Sequence, residues 1–96
     1  MNLTIGNIKP NIQVQIKGLI KDVQIVSISN QNKVYKFILE DYTDQIECKF
    51  FVSHEETSSS ICNNIKRGSR IRVTGKSLWD GYLDKFSFIV ESMENE

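Results

Sequence analysis

Residues 34–51 read VYKFILEDYTDQIECKFF, two segments of alternating apolar and polar residues around a polar turn at positions 41–44. Because successive side chains of a strand point to opposite faces, this pattern predicts a β-hairpin with one face in a core. The predicted core face carries Tyr35, Phe37, Leu39, Ile46, Cys48 and Phe50. The predicted outer face carries Lys36, Ile38, Glu40, Glu47, Lys49 and Phe51.

The predicted outer face combines lysines with a large aromatic ring, and a soluble protein seldom exposes such a surface without a use for it. Lysines bind phosphates and a ring stacks on a base, which is what a single-stranded nucleic acid requires. We therefore interpret Lys36, Lys49 and Phe51 as candidate nucleic-acid-binding residues. The alternative for Phe51 is a packing role, in which its ring covers one end of a barrel.

A long first strand is predicted upstream, where Ile12, Val14 and Ile16 alternate with polar residues. Gly18 interrupts this pattern, and a glycine inside a strand often marks a bulge or a sharp bend. The polar segment at 27–33 favours a flexible loop before the hairpin. Residues 1–11, which contain the only proline, are expected to form an irregular lead-in.

The spacing of apolar residues changes after the hairpin. Ile61 and Ile65 lie four positions apart and Gly68 suits a helix C-cap, which predicts one short helix within residues 53–68. A fourth strand follows, and Asp-Gly at 80–81 is a strong signal for a type I′ hairpin turn into a fifth strand.

The predicted order is a long bent strand, two strands, a helix and two more strands. This is the Greek-key layout of the all-β, five-stranded OB-fold barrel, with its short helix between strands three and four. An SH3-like barrel is the alternative, but it lacks that helix. We expect residues 1–96 to form a single OB-fold domain that ends in an acidic tail at residues 93–96.

Composition limits the functional classes. No apolar run approaches the roughly 20 residues of a membrane span, and no secretory signal pattern is present at the N-terminus. The sequence therefore predicts a soluble, cytoplasmic protein. The net charge is zero, with 12 basic and 12 acidic residues, which argues against a strong non-specific electrostatic binder. Five cations nevertheless lie between positions 66 and 76 without a single acid.

Motifs for catalysis or metal binding are missing from the sequence. Cys48 and Cys62 belong to no CxxC or Cys/His cluster, and His54 is the only histidine. We find no nucleophile–base spacing and no Gly-rich phosphate loop. We therefore expect buried reduced thiols, no metal, no cofactor and no enzymatic activity.

Strand four and its turn supply further candidates. Trp79 and Tyr82 border the turn, where they can clamp a base or, alternatively, pack on each other as a cross-strand pair. Arg72 and Lys76 on strand four, with Lys17 on strand one, are expected to line a groove, because cations pair with phosphate. The alternative for these three cations is a solvated strand face.

Loop geometry adds two candidates, Lys33 in the first loop and Lys85 after the final turn.

Four motifs in matching order resemble the OB domain of PolC-type bacterial replicative DNA polymerases: DYTDQI at 41–46, KFF at 49–51, IKRG at 65–68 and RVTG at 72–75. The DYTD turn is the most specific part of this resemblance. The resemblance implies DNA binding within a replication machine, with Lys49 and Phe51 at matching positions. The polymerase, exonuclease and histidinol-phosphatase-like domains of that family have no counterpart in these 96 residues, so polymerase activity is not expected.

Three functions are consistent with the sequence. The first is a single-stranded DNA-binding OB-fold protein in replication, repair or mobile-element maintenance, with little sequence specificity. The alternative is a protein-interaction module, an accessory subunit that docks on a DNA polymerase or primase through Phe51, Ile38 and Trp79. The third is RNA or anticodon binding. Because one neutral domain binds modestly, a homo-oligomer or a tethering partner is expected to add avidity.

Overall fold

The computed structural model describes residues 2–30, 32–53 and 65–96. These residues form the strands β1 (Gln13–Ser27), β2 (Asn32–Glu40), β3 (Gln45–Ser53), β4 (Arg70–Asp80) and β5 (Lys85–Asn95). The strands close into a barrel in the order β1-β2-β3-β5-β4. Only the β3–β5 pairing is parallel among these five strands. The predicted all-β, five-stranded OB-fold barrel is thereby confirmed.

The predicted helix falls mainly on residues 54–64, which lie outside the described part of the chain. Gly68, expected at its C-cap, has a φ of 91°. This is the left-handed conformation in which glycine is favoured after a helix.

No helix among the described residues is long and apolar enough to cross a membrane.

The core confirms the predicted inner face of the β2–β3 hairpin. Tyr35, Phe37, Leu39 and Ile46 are all buried, and Phe50 packs partly buried against the same cluster. The alternation in the sequence therefore predicted the position of these side chains correctly. One face of each strand is removed from water when the barrel interior forms, and apolar residues occupy that face.

Cys48 lies in this core as a free, fully buried thiol. Burial raises the pKa of the Cys48 thiol well above its usual value, and the neighbouring Glu47 carboxylate raises the same pKa further. A buried, reduced thiol was predicted for this residue; Cys62 lies outside the described residues.

Strand β1 bends as predicted, but the bulge is not at its glycine. The first half of β1 pairs with β4 and its second half pairs with β2, so the strand passes from one side of the barrel to the other. The β1–β2 register shifts between Ile20 and Val23. A Cβ at Gly18 would overlap the carbonyl oxygen of Glu40, so the glycine permits close approach of β2.

The lead-in contains a 3₁₀ turn, Ile5–Asn7, that is fastened to the β2–β3 turn. The Ile5 N–H donates a 2.8 Å hydrogen bond to Asp41 Oδ2, and the Gly6 N–H donates to Thr43 Oγ1 at 2.8 Å. The other oxygen of Asp41 accepts from the backbone N–H groups of Thr43 and Asp44. The DYTD segment thus closes its own turn and also holds buried Ile5 against the barrel.

These hydrogen bonds set the ionisation of Asp41. Partial burial by itself would raise the pKa of this carboxyl. The donors on Ile5, Thr43 and Asp44 stabilise the carboxylate more strongly, so that the pKa of Asp41 lies below its usual value of 3.8.

The β4–β5 turn differs from the predicted type I′ hairpin. Asp80 pairs with Lys85, which leaves a loop of residues 81–84 between the strands. The residue with positive φ is Asp84, at 54°, instead of Gly81. Asp80 Oδ1 accepts hydrogen bonds from the N–H groups of Tyr82 and Leu83 and caps the loop. The Asp-Gly signal was wrong because an aspartate can also open a longer loop by this local capping.

The predicted acidic tail is also corrected. Residues 93–95 continue β5 and pair with β4, where Arg72 lies opposite Glu94. The C-terminal acids therefore lie against the basic stretch of β4.

Candidate nucleic-acid interface

The first candidate surface is a row of lysines across the outside of the barrel. Lys36 on β2 lies directly opposite Lys49 on β3, which lies beside Ile89 on β5. Ile89 in turn lies opposite Lys76 on β4. We call Lys36, Lys49, Lys76 and the neighbouring Phe51 the lysine wall. Strands far apart in sequence thus bring three cations to one level of the barrel.

Two cations of the lysine wall lack a counterion within the described chain. No described carboxylate lies within ion-pair distance of Lys36 or Lys76. Lys49 is the exception, because its Nζ lies 3.8 Å from Glu47 Oε1. Like charges opposite each other on a sheet repel, so the Lys36–Lys49 pair favours a bound anion.

Phe51 supplies the aromatic part of the wall. Its side chain is 52% exposed, while Val34 opposite it on β2 is 5% exposed. Val34 is therefore packed, whereas about half of Phe51 is open to solvent. It follows Lys49 by two residues on the same face of β3, about 7 Å along the strand. Phe51 is therefore not sealed in the core, while the predicted helix, beneath which its ring would lie in the packing alternative, falls mainly on residues 54–64, outside the described residues.

The outer face of the β2–β3 hairpin is polarised along its length. Phe51 and the lysine pair lie towards the open end of the hairpin, whereas Ile38, Glu47 and Glu40 lie towards the 41–44 turn. The cationic surface is thus confined to one half of the hairpin.

A second group of cations lies on β1 and the first half of β4, where each has a carboxylate partner. Lys17 on β1 lies opposite Arg72 on β4, and we call these two residues with Arg70 the paired wall. Arg72 Nη1 lies 3.1 Å from Glu94 Oε1. Glu96 lies 3.5 Å from Arg70 Nε and 3.9 Å from Lys17 Nζ. The structure therefore does not bring Lys17 and Arg72 together with Lys36 and Lys49, although all four were predicted to bind.

A family match agrees with the fold. The sequence profile of the family described as an OB-fold nucleic acid binding domain (tRNA_anti-codon) matches residues 14–95. The chain belongs to this OB-fold family. No curated protein sequence matches the chain significantly.

Solved structures share the barrel of this OB domain at low sequence identity. The crystal structure of a domain of replication protein A from Methanococcus maripaludis superposes with a TM-score of 0.77 at 19% identity, covering 99% of this chain and 94% of that one. The NMR structure of the second OB-fold domain of that protein gives 0.74 at 18% identity, with the same coverage. RecG bound to a three-way DNA junction gives 0.70 at 18% identity; 100% of this chain aligns with 12% of RecG.

Trp79 pairs with a different partner from the one expected. It lies opposite Phe86 across the β4–β5 hairpin, and the two rings make an edge-to-face contact with centroids 4.8 Å apart. Trp79 remains 46% exposed. Tyr82 lies in the loop and is 97% exposed, which does not favour the alternative of Trp79–Tyr82 packing.

Trp79 faces a groove of different character from the lysine wall. The groove, of about 360 Å³, runs between the β4–β5 hairpin and the start of β3. Its apolar lining includes Ile38, Trp79 and Phe86; its charged lining is Asp44, Glu47, Asp84 and Lys85. Carboxylates outnumber the single amine, so the predicted Lys85 lies in a locally acidic site. We call this site the acidic groove.

Lys33 is displaced from its predicted loop. It lies within β2, opposite Val52, on the same face as Tyr35 and on the opposite face from Lys36. It therefore does not extend the lysine wall.

Sequence reasoning missed Ile89, which separates Lys49 from Lys76 on the wall. Only the parallel β3–β5 register puts this residue there, and no local motif encodes that register. Among the described residues, no cluster of histidine, cysteine and carboxylate side chains is suited to hold a metal ion.

Proposed function

We propose that this OB domain binds single-stranded DNA across the lysine wall, with a base stacked on Phe51. The observation that supports this is the meeting of Lys36, Lys49 and Lys76 at one level of the barrel, beside an exposed ring. Because Lys36 and Lys76 have no carboxylate partner in the described chain, phosphates would provide the opposite charge.

The expected binding is modest and depends on salt. Each phosphate neutralised on a single strand contributes about −0.7 to the slope of log K against log salt, so three lysine contacts give a slope of roughly −2. Stacking of one base on an aromatic ring contributes about 1–3 kcal/mol. Neither a phosphate contact nor a stacked ring reads base edges, and little sequence specificity is expected.

The cellular role that we propose is in DNA replication, repair or mobile-element maintenance, in the cytoplasm and without catalysis. The shared fold with domains of replication protein A agrees with this role. The resemblance to PolC-type polymerases also agrees, although Asp41 and Thr43 of its most specific motif are used to hold the 3₁₀ turn. Lys49 and Phe51 are the matching positions that lie on the lysine wall.

Fluorescence anisotropy with labelled oligo-dT, duplex DNA and oligo-U, across a salt series, tests the proposal. We expect the tightest binding to oligo-dT, weakening as salt rises. Tighter binding to oligo-U would indicate that the lysine wall binds RNA in preference to DNA. Equal binding to duplex DNA, or the absence of any salt dependence, would contradict the proposal.

A further inference from the structure

The acidic groove has the opposite charge from the one that a phosphate backbone requires. Asp44, Glu47 and Asp84 contribute three carboxylates, and Lys85 contributes one amine, so the lining carries a formal charge of about −2. Asp44 and Asp84 have no ion-pair partner among the described residues. Phosphates entering this groove would be repelled, whereas cationic side chains would be attracted.

The groove also offers an apolar surface, and Trp79 brings a hydrogen-bond donor near it. Ile38 and Phe86 are partly buried, and Trp79 is 46% exposed. The indole N–H of Trp79 has no acceptor among the described residues. Half-exposed tryptophans next to apolar side chains are typical anchors of protein interfaces, where the ring is buried and the N–H meets a backbone carbonyl.

We propose that the acidic groove binds a short peptide segment of a protein partner, in which apolar side chains stand beside lysine or arginine. The apolar side chains would pack on Trp79 and Ile38, and the cations would pair with Asp44 and Asp84. A volume of about 360 Å³ suits a few side chains of one segment instead of the face of a folded domain. The groove shares no lining residue with the lysine wall, although Glu47 lies 3.8 Å from Lys49, and this proposal does not rest on DNA binding at the wall.

The two sites meet on β3. Glu47 lines the groove and lies 3.8 Å from Lys49 of the lysine wall. Phe51 of the wall lies four residues beyond Glu47 along the same strand, about 13 Å away. No residue of the wall lines the groove itself.

Trp79 is the only tryptophan in the chain, so its fluorescence reports directly on the groove. The probes are three blocked peptides without aromatic residues: KLKLKL, ELELEL and KSKSKS. We expect KLKLKL to shift the Trp79 emission to shorter wavelength in a saturable manner. ELELEL lacks the cations and KSKSKS lacks the apolar side chains, so both are expected to leave the emission unchanged.

The matched variant is Asp44→Asn with Asp84→Asn, which removes two charges and preserves side-chain shape. Asparagine can still accept the 2.8 Å hydrogen bond from Gln45 N–H at position 44, and it tolerates the positive φ at position 84. We expect roughly fivefold weaker binding of KLKLKL. Glu91→Gln, on β5 and outside the groove lining, is the control and should not change it.

Two results would overturn the proposal. One is equal binding of all three peptides, or binding by KLKLKL that the Asp44/Asp84 variant does not weaken. The other is a Trp79 emission shift with oligo-dT that KLKLKL competes away, which would make the groove a nucleic-acid site. Failure of DNA binding at the wall is a separate outcome, because Lys36→Ala with Lys76→Ala is expected to weaken DNA binding and to leave the peptide response intact; neither lysine lines the groove or pairs with its carboxylates.

Discussion

The two basic surfaces of this barrel carry similar residues and differ in what faces them. On the lysine wall, Lys36 and Lys76 meet no described carboxylate. On the paired wall, Arg70 and Arg72 lie within 3.5 Å and 3.1 Å of Glu96 and Glu94. The density of cations in the sequence is higher at 66–76, yet Glu94 and Glu96 at the C-terminal end pair with Arg72 and Arg70 of that stretch. A basic sequence segment is therefore a poor guide to a basic surface until strand pairing is known.

Reversing two charges on the lysine wall is expected to have the largest effect. Lys36→Glu with Lys49→Glu should weaken oligo-dT binding by about a hundredfold or more at low salt, because attraction to phosphates becomes repulsion. The matched control on the paired wall is Lys17→Glu, for which we expect less than a threefold change by anisotropy. Equal losses from both walls would remove the distinction between them.

Phe51→Ala tests the aromatic part of the lysine wall. Loss of a stacked base should weaken oligo-dT binding by about 1–3 kcal/mol, while the salt slope stays the same because no charge is removed. Tyr82→Ala removes a more exposed ring from the β4–β5 loop, and we expect it to leave the affinity unchanged. A larger loss from Tyr82→Ala than from Phe51→Ala would move the stacking site to that loop.

Asp41→Ala changes the stability of the domain without altering either wall. The Ile5 N–H and the turn N–H groups lose their charged acceptor, so we expect the free energy of unfolding to fall by about 2 kcal/mol in urea denaturation. DNA affinity of the folded protein should stay the same. A variant that unfolds as the wild type does would show that Ile5 packing and the Gly6–Thr43 hydrogen bond are enough to hold the 3₁₀ turn.

The lowered pKa of Asp41 also predicts that the stability of the domain falls in acid. Its folded-state pKa lies below the usual 3.8, so its contribution to stability is complete above that value and is lost as the pH falls through the folded-state pKa. Urea denaturation between neutral and acidic pH should therefore show a smaller acid loss of stability for Asp41→Asn than for the wild type. Identical pH profiles would contradict this assignment.

The smallest effect is expected when the carboxylates of the paired wall are removed. Glu94→Gln with Glu96→Gln frees Arg70, Arg72 and Lys17 from their ion pairs, and we expect oligo-dT binding to strengthen by roughly two- to threefold at low salt. The gain should vanish at high salt, because exposed charges are screened. Weaker binding in this variant would mean that the C-terminal acids support the interface.

Alternation in the sequence was enough to predict the inner and outer faces of β2 and β3, because the two-residue period of a strand is a local property. Lys36, Lys49 and Phe51 were found in this way. The barrel was predicted from the order of the strands together with the expected helix between strands three and four. The four-residue loop at 81–84 was not, because Asp80 caps it through hydrogen bonds that compete with the tighter turn.

The sequence by itself determined which residues point outwards and that cations and rings are among them. Tertiary structure decided which of these cations have counterions. That decision rests on pairings between distant strands: β5 carries Glu94 to Arg72, 22 positions away, while the parallel β3–β5 pairing brings Lys76 towards Lys49. Charge pairs act over a few ångströms, and only the closed barrel establishes which charges lie that close.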